Sequence, residues 1–307
     1  VGISLSRTGV RDPMSLEADA VTAYRQAGTA LAGVLEETAA MIEPGVRLLE
    51  VAEAAETAIA ARADGCAFPA NISLDAEASH ASPARDDERT FDDELVCLDL
   101  GAHVDGYIAD AAVTVDLGDN GALVDAAEAA LAAALAAVRP GIDPGAVGAV
   151  IEEAIRDRGF TPILNLSGHG VGRYDAHTAP SVPNRATRTG ETLAEGDVVA
   201  IEPFATTGRG KVTEGAVTEI YSLIAPAPVR SRTAKQVLST IEREYRELPF
   251  ATRWLETPRE ALSVRRLTDR GILHGYPVLQ AESGALVAQA EHTVIVTADG
   301  CEIITDG

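Results

Sequence analysis

The sequence predicts an α+β fold in which mostly long helices flank short pairs of antiparallel strands. Two observations support this prediction. Apolar residues recur at helical spacing over long stretches, and segments of strand-like pattern stand between these stretches in both halves of the chain. The dipeptide Asp105-Gly106 also joins two alternating segments, which is a strong signal for a tight hairpin turn.

Helices are predicted where an apolar period lies between a cap and a helix breaker. Ser15 is expected to cap the first helix, and Pro-Gly pairs at 44–45 and 140–141 mark two helix boundaries. In the part of the chain before residue 160, the predicted helices cover residues 15–42, 46–63, 122–138 and 147–158.

Strands are predicted where the pattern becomes strand-like. The predicted strands cover residues 71–74, 94–103, 107–117, 197–204, 217–223, 285–296 and 301–305. The segment 167–174 is rich in glycine and histidine and is predicted to be a loop.

Length and composition limit the classes of protein to consider. At 307 residues the chain is slightly above the usual size of a single hydrophobic core, so we expect one large domain or one domain with an insert. No apolar run approaches the roughly 20 residues that span a bilayer, and no signal peptide is recognised. The three cysteines lack metal-site or CxxC spacing, which favours a reducing cytoplasm.

The charge balance is strongly acidic. Asp and Glu number 47 against 25 Lys and Arg, a formal net charge of −22. Such a charge disfavours general affinity for DNA, which is itself a polyanion. The simplest interpretation is adaptation to a salty cytoplasm, as in a halophile, where salt screens the repulsion between surface charges.

Residues 226–278 differ in composition from the rest of the chain. Ten Lys and Arg face six Asp and Glu there, so this segment has a net charge of +4 and the remainder −26. Two helices, over 231–248 and 259–271, are predicted within it. We therefore expect an inserted helical subdomain at 226–278 within a catalytic domain formed by 14–225 and 279–307. Residues 1–13 show no period, and we expect them to lie outside the native gene product.

The predicted hairpin places two aspartates on one face. In an antiparallel hairpin, the sequence numbers of any two paired residues have the same sum. This sum is 211 if the turn is Asp105-Gly106 and 209 if the turn is Val104-Asp105. Asp99 and Asp110 sum to 209, so they lie opposite each other or one step diagonally in either case. Two carboxylates so placed repel by up to about 1 kcal/mol in water, and a cation between them reverses the sign.

Three further residues complete a set of metal-ligand type. His169 lies between glycines that allow close backbone approach, and Glu202 and Glu291 stand within apolar strand sequence where an unpaired carboxylate is costly. Two Asp, two Glu and one His suit a pair of divalent ions such as Mn, Fe, Co or Zn better than a structural zinc.

These residues and their flanking sequences resemble the dinuclear-metal pita-bread family of aminopeptidases and prolidases, most of all the archaeal type II methionine aminopeptidases. The resemblance runs from about residue 15 to the C-terminus. It includes Phe68-Pro69 twelve residues before His80, the His-Gly-Val-Gly-Arg-Tyr run at 169–174, Leu-Pro-Phe-Ala-Thr-Arg-Trp at 248–254, Tyr276-Pro277 and Glu291-His-Thr. It implies a pita-bread fold with a winged-helix-like insert.

The resemblance also implies roles for individual residues. Asp99 would bind one ion, His169 and Glu202 the other, and Asp110 and Glu291 would bridge both, with Glu202 as proton shuttle. His80 and His177 would contact the scissile amide and its developing oxyanion. The methionine side chain would be held by Phe68, Ala176 and Tyr276.

The activity so implied is removal of the initiator methionine from nascent chains with a small second residue. A proline dipeptidase on the same scaffold and a non-enzymatic binding protein with this fold are the alternatives. The arginines of the insert would either pair with its own acids at helical spacing or dock transiently on ribosomal RNA. Of the remaining histidines, His103 is expected to make a structural hydrogen bond, and His292 to face away from the metals.

Overall fold

In the computed structural model, which describes residues 16–255 and 258–306, the described residues form six α-helices, one short 3₁₀ helix (Thr252–Trp254) and fifteen strands. The helices are α1 (Ala18–Ala39), α2 (Leu48–Arg62), α3 (Gly121–Ala137), α4 (Pro144–Asp157), α5 (Arg232–Glu244) and α6 (Pro258–Thr268). The strands are β1 (Gly65–Leu74), β2 (Glu77–Ser79), β3 (Leu95–Val104), β4 (Tyr107–Asp116), β5 (Thr161–Pro162), β6 (Ser167–Gly172), β7 (Asp175–Pro183), β8 (Val198–Ile201), β9 (Phe204–Thr206), β10 (Thr213–Leu223), β11 (Phe250–Ala251), β12 (Leu273–Gln280), β13 (Val287–Gln289), β14 (His292–Val296) and β15 (Cys301–Ile303).

The strands form four sheets, and every pair of neighbouring strands in them is antiparallel, which confirms the α+β prediction. Helices α1 and α2 share one hydrophobic core with the sheet β1-β3-β4. Helices α3 and α4 share a second core with the sheet β15-β14-β8-β6-β7 and with β9 and β13. Among the described residues, no helix has the length and apolar character needed to cross a membrane.

The hairpin between β3 and β4 turns at Asp105-Gly106, as predicted. Val104 pairs with Tyr107, so the numbers of paired residues sum to 211. Both turn residues have positive φ angles, 49° for Asp105 and 82° for Gly106, as a tight hairpin turn requires.

The prediction of a loop over 167–174 is wrong, because most of this segment, Ser167–Gly172, forms β6. Its glycines allow neighbouring backbone to approach closely. A Cβ on Gly168 would lie 2.3 Å from the Ala200 carbonyl oxygen, and one on Gly170 would lie 2.4 Å from that of Ala179. Glycine within a strand therefore marks close packing here rather than a turn.

Several predicted boundaries also differ from the structure. Helix α1 begins at Ala18 with Glu17 in the N-cap position, whereas Ser15 and residues 1–14 lie outside the described residues. Strand β1 begins earlier than predicted, at Gly65. Its pairing with β3 shifts register on both sides of Phe68, and these shifts interrupt the side-chain alternation by which a strand is recognised in a sequence. The single strand predicted over 285–296 is divided into β13 and β14, and α5 ends early because Arg246 adopts a positive φ of 57°.

The predicted insert contains α5 and α6, which pack on each other through Val237, Ile241, Val264 and Leu267. Its last residues are part of β12, which pairs with β10 and β2. The insert is thus joined to the rest of the molecule by a continuous sheet, and the domain boundary at residue 278 stays a prediction.

Candidate active site

A cavity of about 220 Å³ draws its lining residues from all four sheets. Nine of the ten residues predicted for the site lie on its wall, although they come from widely separated parts of the sequence. They are Phe68, His80, Asp99, Asp110, His169, His177, Glu202, Tyr276 and Glu291.

Ala176 is the exception: it does not line this cavity, and its place in a substrate pocket stays a prediction. It precedes His177 on β7, and successive residues of a strand point to opposite faces. Because His177 lines the cavity, Ala176 faces away and is buried in the hydrophobic core with Val171. The apolar part of the cavity wall includes Phe204, Ile220 and Leu279, besides Phe68.

The two aspartates of the hairpin lie one step diagonally on the same face. Asp99 pairs with Ala112, and Asp110 pairs with Gly101. One carboxylate oxygen of each aspartate, Oδ1, is buried without a hydrogen-bond partner. Buried carboxylate oxygens without donors are costly, so this face of the hairpin needs a positive ligand.

His169 brings a nitrogen ligand to these carboxylates. Its Nδ1 lies 3.2 Å from the Gly170 carbonyl oxygen, which can only accept, so Nδ1 carries the proton and Nε2 is free to bind a cation. Nε2 lies 3.8 Å from Oδ2 of Asp110 and 3.6 Å from Oε1 of Glu202. Asp110, His169 and Glu291 each offer one ligand atom, and these three atoms lie within 4.8 Å of one another.

The backbone fixes the place of Asp110 and Glu291. The Glu291 N–H donates to the Ala112 carbonyl at 3.0 Å, which ties the segment between β13 and β14 to β4. Thr293 reinforces this contact, because its hydroxyl donates to the Asp110 carbonyl at 2.7 Å and accepts from the Asp110 N–H at 2.8 Å. The two carboxylates are therefore positioned by strand pairing before any ligand binds.

Burial and like charge shift the pKa values of the acidic cluster formed by Asp99, Asp110, Glu202 and Glu291. Burial raises the pKa of Asp99 to about 7. Burial and then neighbouring carboxylates raise the pKa of each of the other three. Burial, with a smaller effect of His177, lowers the pKa of His169 to about 3, so this imidazole is neutral. The cluster has excess negative charge, and divalent cations fit it by charge, by donor type and by its unpartnered oxygens.

Sequence reasoning missed Gln289, a buried side chain beside the cluster. Its Nε2 donates to Oε2 of Glu291 at 3.0 Å and lies 3.5 Å from Oε2 of Glu202. Gln289 precedes Glu291 by two residues, the spacing that places two side chains on one face of an extended chain. That spacing was the signal that could have identified Gln289.

Asn71 was also missed. It pairs with Asp99 across β1 and β3, lines the cavity, and has a buried Oδ1 without a hydrogen-bond partner. Cross-strand partners share a face of the sheet, so the position of Asp99 was the signal that could have identified it.

His80 is held firmly at the cavity wall. Its Nδ1 lies 3.3 Å from the Pro277 carbonyl oxygen, which can only accept, so Nδ1 donates and Nε2 is an acceptor. Burial, and to a lesser extent His177 and His274, lower the pKa of His80 to about 4. Its ring lies 5.4 Å from the ring of Tyr276, whose hydroxyl is 3.0 Å from that of Ser222.

His103 and His292, which lie outside the predicted site, each take part in a hydrogen bond away from the cavity. His103 accepts a hydrogen bond from the Gly106 N–H at 3.3 Å through Nδ1, within the hairpin turn. His292 pairs with the Thr305 hydroxyl at 2.9 Å. Both outcomes match the expectation for these residues.

Residues 22–298 match the family model described as metallopeptidase family M24. The methionine aminopeptidase of Archaeoglobus fulgidus is 51% identical over 281 residues, which are 91% of this chain and 96% of that protein. The methionine aminopeptidase of Methanocaldococcus jannaschii is 44% identical over 283 residues, again 91% of this chain and 96% of that protein.

Solved structures share the fold. A thermophilic Arx1 matches with a TM-score of 0.84 at 18% identity, over 95% of this chain and 92% of its own. A methionine aminopeptidase from Thermotoga maritima matches with a TM-score of 0.71 at 23% identity, over 96% of this chain and 100% of its own. The prolidase from Pyrococcus furiosus matches with 0.63 at 19% identity, over 96% of this chain and 66% of its own. These likenesses, together with the family match, establish the pita-bread fold.

Proposed function

The chain belongs to metallopeptidase family M24, and from this premise we propose that it is a methionine aminopeptidase of the archaeal type II form. It is a metal-dependent hydrolase that removes the initiator methionine from nascent proteins whose second residue is small. The observation that carries this conclusion is the 51% identity to the Archaeoglobus fulgidus enzyme over 91% of the chain. The cavity with its buried Asp, His and Glu ligand atoms supports it.

We assign the cofactor as two divalent ions of Mn, Fe, Co or Zn. The ligands would be Asp99, Asp110, His169, Glu202 and Glu291. The unpartnered oxygens of Asp99 and Asp110 and the free Nε2 of His169 are suited to this role. Bound divalent cations supply Lewis-acid activation of a water molecule and of the scissile carbonyl.

Glu202 is the group best placed to move a proton. Burial and the Asp99 carboxylate raise its pKa, so the carboxyl takes up a proton more readily than an exposed glutamate does, and it can return that proton. Its carboxylate also lies near His169 and Gln289, which hold it at the cavity wall. We assign Glu202 as the shuttle that carries a proton to the departing amine.

His80 and His177 orient the substrate. Because His80 donates through Nδ1 to Pro277, its Nε2 accepts a hydrogen bond from the N–H of the scissile amide. His177 donates to the oxygen that gains negative charge. The methionine side chain lies against Phe68 and Tyr276, on a wall whose apolar part also includes Phe204. An apolar wall favours an unbranched thioether by a few kcal/mol at most.

Hydrolysis of Met-Ala-Ser and of Ala-Pro tests the proposal. Purified protein loaded with Co or Mn should release methionine from Met-Ala-Ser and leave Ala-Pro intact, and chelation with EDTA should abolish the reaction. Hydrolysis of Ala-Pro alone would identify a proline dipeptidase. Metal binding without hydrolysis of either peptide would identify a binding protein of this fold.

The arginines of the insert support a transient contact with ribosomal RNA. Among the described side chains, the one ion pair between an arginine and an acid of the insert is Arg243 with Glu244, so internal pairing does not account for the others. The arginines of the insert without an acidic partner among the described side chains are Arg230, Arg232, Arg246, Arg265, Arg266 and Arg270. The side chains of Glu256, Arg259 and Glu260 are not among those that the structure describes.

Two of these arginines, Arg266 and Arg270, line one groove beside the N-terminus of α5 together with Arg230, and an arginine side chain is suited to binding phosphate. The variant that tests the contact removes these two and the neighbouring Arg265. Replacing Arg265, Arg266 and Arg270 with Gln should weaken co-sedimentation with ribosomes and leave Met-Ala-Ser hydrolysis unchanged. Unchanged co-sedimentation at the salt concentration of the native cytoplasm would contradict the contact.

The acidic surface supports a halophilic, cytoplasmic setting. The chain has a net charge of −22, and its acidic side chains repel one another less at molar salt, where the screening length is about 3 Å. Activity and stability should therefore increase from about 0.1 M to molar KCl, and an optimum at low salt would contradict this assignment.

A further inference from the structure

A second buried charged group lies next to the cavity and takes no part in the proposed chemistry. It joins Arg253, in the 3₁₀ helix of the predicted insert, to Glu56 on α2, and the two form an ion pair. The Arg253 side chain is only 3% exposed and that of Glu56 13%. Glu56 also accepts from the Trp254 indole N–H at 2.7 Å and from the Ala70 N–H at 3.1 Å.

The other end of the Arg253 guanidinium holds the segment that follows His80. Its Nη1 donates to the Ser82 hydroxyl at 2.7 Å and to the Pro83 carbonyl at 3.0 Å. The Ser82 hydroxyl in turn donates to the Ala70 carbonyl at 2.7 Å. Arg253 therefore ties the residues just after His80 to β1, the strand that also supplies Phe68 to the cavity.

His80 needs such support, because its backbone has a φ of 63°. A non-glycine residue adopts this strained left-handed conformation where its surroundings hold it there. The ring itself is held by Pro277, on β12. Backbone and ring are thus fixed from two sides.

Arg253 is in turn held in place through its own backbone. Arg85 donates to the Arg253 carbonyl at 3.0 Å and also contacts the Leu255 carbonyl. The contacts therefore run in both directions between the 3₁₀ helix and the segment 82–85. A rigid guanidinium with several donors in one plane suits this multiple attachment, which a lysine cannot reproduce.

We propose that Arg253, fixed by Glu56, is a positioning residue that sets the backbone of His80 and thereby the place of its Nε2 in the cavity. The inference rests on the proposed role of His80 in contacting the scissile amide. It gives the Leu248–Trp254 segment, which resembles the family but has no part in the chemistry, a function in catalysis. A displacement of about 1 Å in an orienting group can lower a rate 10²-fold.

A double-mutant cycle with His80 tests whether Arg253 acts through that residue. Arg253→Lys should lower kcat/KM for Met-Ala-Ser by roughly 10–100-fold while the bound metal per chain stays at the wild-type level. In a His80→Ala background, Arg253→Lys should change kcat/KM by less than about 2-fold, because there is no imidazole left to position.

Two further variants keep the test informative if Arg253→Lys fails to fold. Ser82→Ala removes one acceptor of the Arg253 guanidinium without leaving a buried charge unpaired, and it should lower kcat/KM by about 3–10-fold, again only when His80 is present. Arg25→Gln breaks the exposed ion pair between Arg25 and Glu302 and serves as the matched control, with unchanged kcat/KM.

The possible failures are distinguishable. If the losses from Arg253→Lys or Ser82→Ala are the same with and without His80, or if metal is lost in parallel with rate, the positioning role is overturned. If His80→Ala alone retains the wild-type rate, the assignment of His80 in the proposed function is wrong, whatever the Arg253 variants do.

Discussion

Two groups of buried charge lie on either side of β1, and they meet the cost of burial in different ways. Arg253 and Glu56 neutralise each other, and donors from Trp254 and Ala70 complete the coordination of the carboxylate, while Nε of Arg253 is buried without a hydrogen-bond partner. In the acidic cluster, four carboxylates have one neutral imidazole, His169, as their neighbour, and Asp99 and Asp110 each keep an unpartnered oxygen.

The difference separates a structural use of buried charge from a binding use. A self-neutralised pair is stable as it stands and rigidifies its surroundings. A cluster of like charges destabilises the folded protein until a cation binds. Relief of the repulsion between the carboxylates then contributes to the binding free energy of the cation. Perturbed pKa values occur in both groups. Burial raises the pKa of Glu56 as well, but there Arg253, Trp254 and Ala70 oppose the rise. It is the uncompensated charge that distinguishes the candidate active site.

The largest expected effect comes from removing one carboxylate of the cluster. Asp110→Asn should lower kcat/KM more than about 10³-fold, and Asp99→Asn should lower it less, because Asp110 lies with His169 and Glu291 in the three-residue ligand group. Activity assays with metal content measured by elemental analysis would show this. Glu36→Gln, on the exposed side of α1, is the control and should leave both quantities unchanged.

The second prediction is that the two groups respond to loss of a carboxylate with opposite signs. In metal-free protein, Asp99→Asn should increase the free energy of unfolding, because it relieves repulsion. Glu56→Gln should decrease it by about 3–5 kcal/mol, because the Arg253 charge is left buried without its partner. Urea unfolding in EDTA measures both changes. A loss of stability in Asp99→Asn would mean that its carboxylate is already compensated.

These two groups also show what could be predicted from the sequence. The acidic cluster could be predicted because strand alternation and one hairpin turn fix the shared face of Asp99 and Asp110. Glu202 and Glu291 stand out as acids within apolar strand sequence, and family resemblance then implies ligand roles for them. The Arg253–Glu56 pair could not, because its members are 197 residues apart and nothing local to either one indicates the other.

The differences between sequence and structure around the site have equally specific causes. The motif alone suggests Ala176 for the substrate pocket, whereas the alternation of β7 directs it to the core once His177 faces the cavity. Glycine usually marks turns, which favours a loop over 167–174, whereas here glycine permits close strand packing. Gln289 and Asn71 were missed because amide side chains have no charge to draw attention to them.

A third, smaller effect is expected for Gln289, which belongs to neither charged group but donates to the cluster. Gln289→Leu removes the hydrogen bond to Glu291 and leaves every proposed ligand in place. Metal affinity should fall about 10–100-fold, the usual cost of losing a group that orients a ligand. Competition with a fluorescent chelator measures this. Gln236→Leu, on the exposed side of α5, should have the wild-type affinity, and equal losses in both variants would contradict the role of Gln289.

The smallest effect concerns the pH dependence of metal-free stability, where the two kinds of titrating group act in opposite directions. The carboxylates of the cluster have raised pKa values, so the folded state retains protons that the unfolded state releases, and stability falls as pH rises through the folded values. The pKa values of His169 and His80 are lowered, to about 3 and about 4, so their effect is to increase stability as pH rises towards the ordinary histidine value of about 6.5.

From about pH 7.5, one unit above the ordinary histidine value, the histidines are neutral in both states, and the carboxylates alone determine the sign. Between pH 7.5 and 8.5, the free energy of unfolding in EDTA should therefore fall by about 1.4 kcal/mol per pH unit for each proton that the folded state holds and the unfolded state does not. Since the pKa of Asp99 is raised to about 7, Asp99→Asn should give a shallower slope, whereas Glu36→Gln should not. Saturating Mn or Co should abolish the fall, because the ligands are then deprotonated throughout this range. A metal-free slope that is flat, or that rises with pH, would mean that the four carboxylates already have a compensating charge and that the contrast with Arg253 and Glu56 is false.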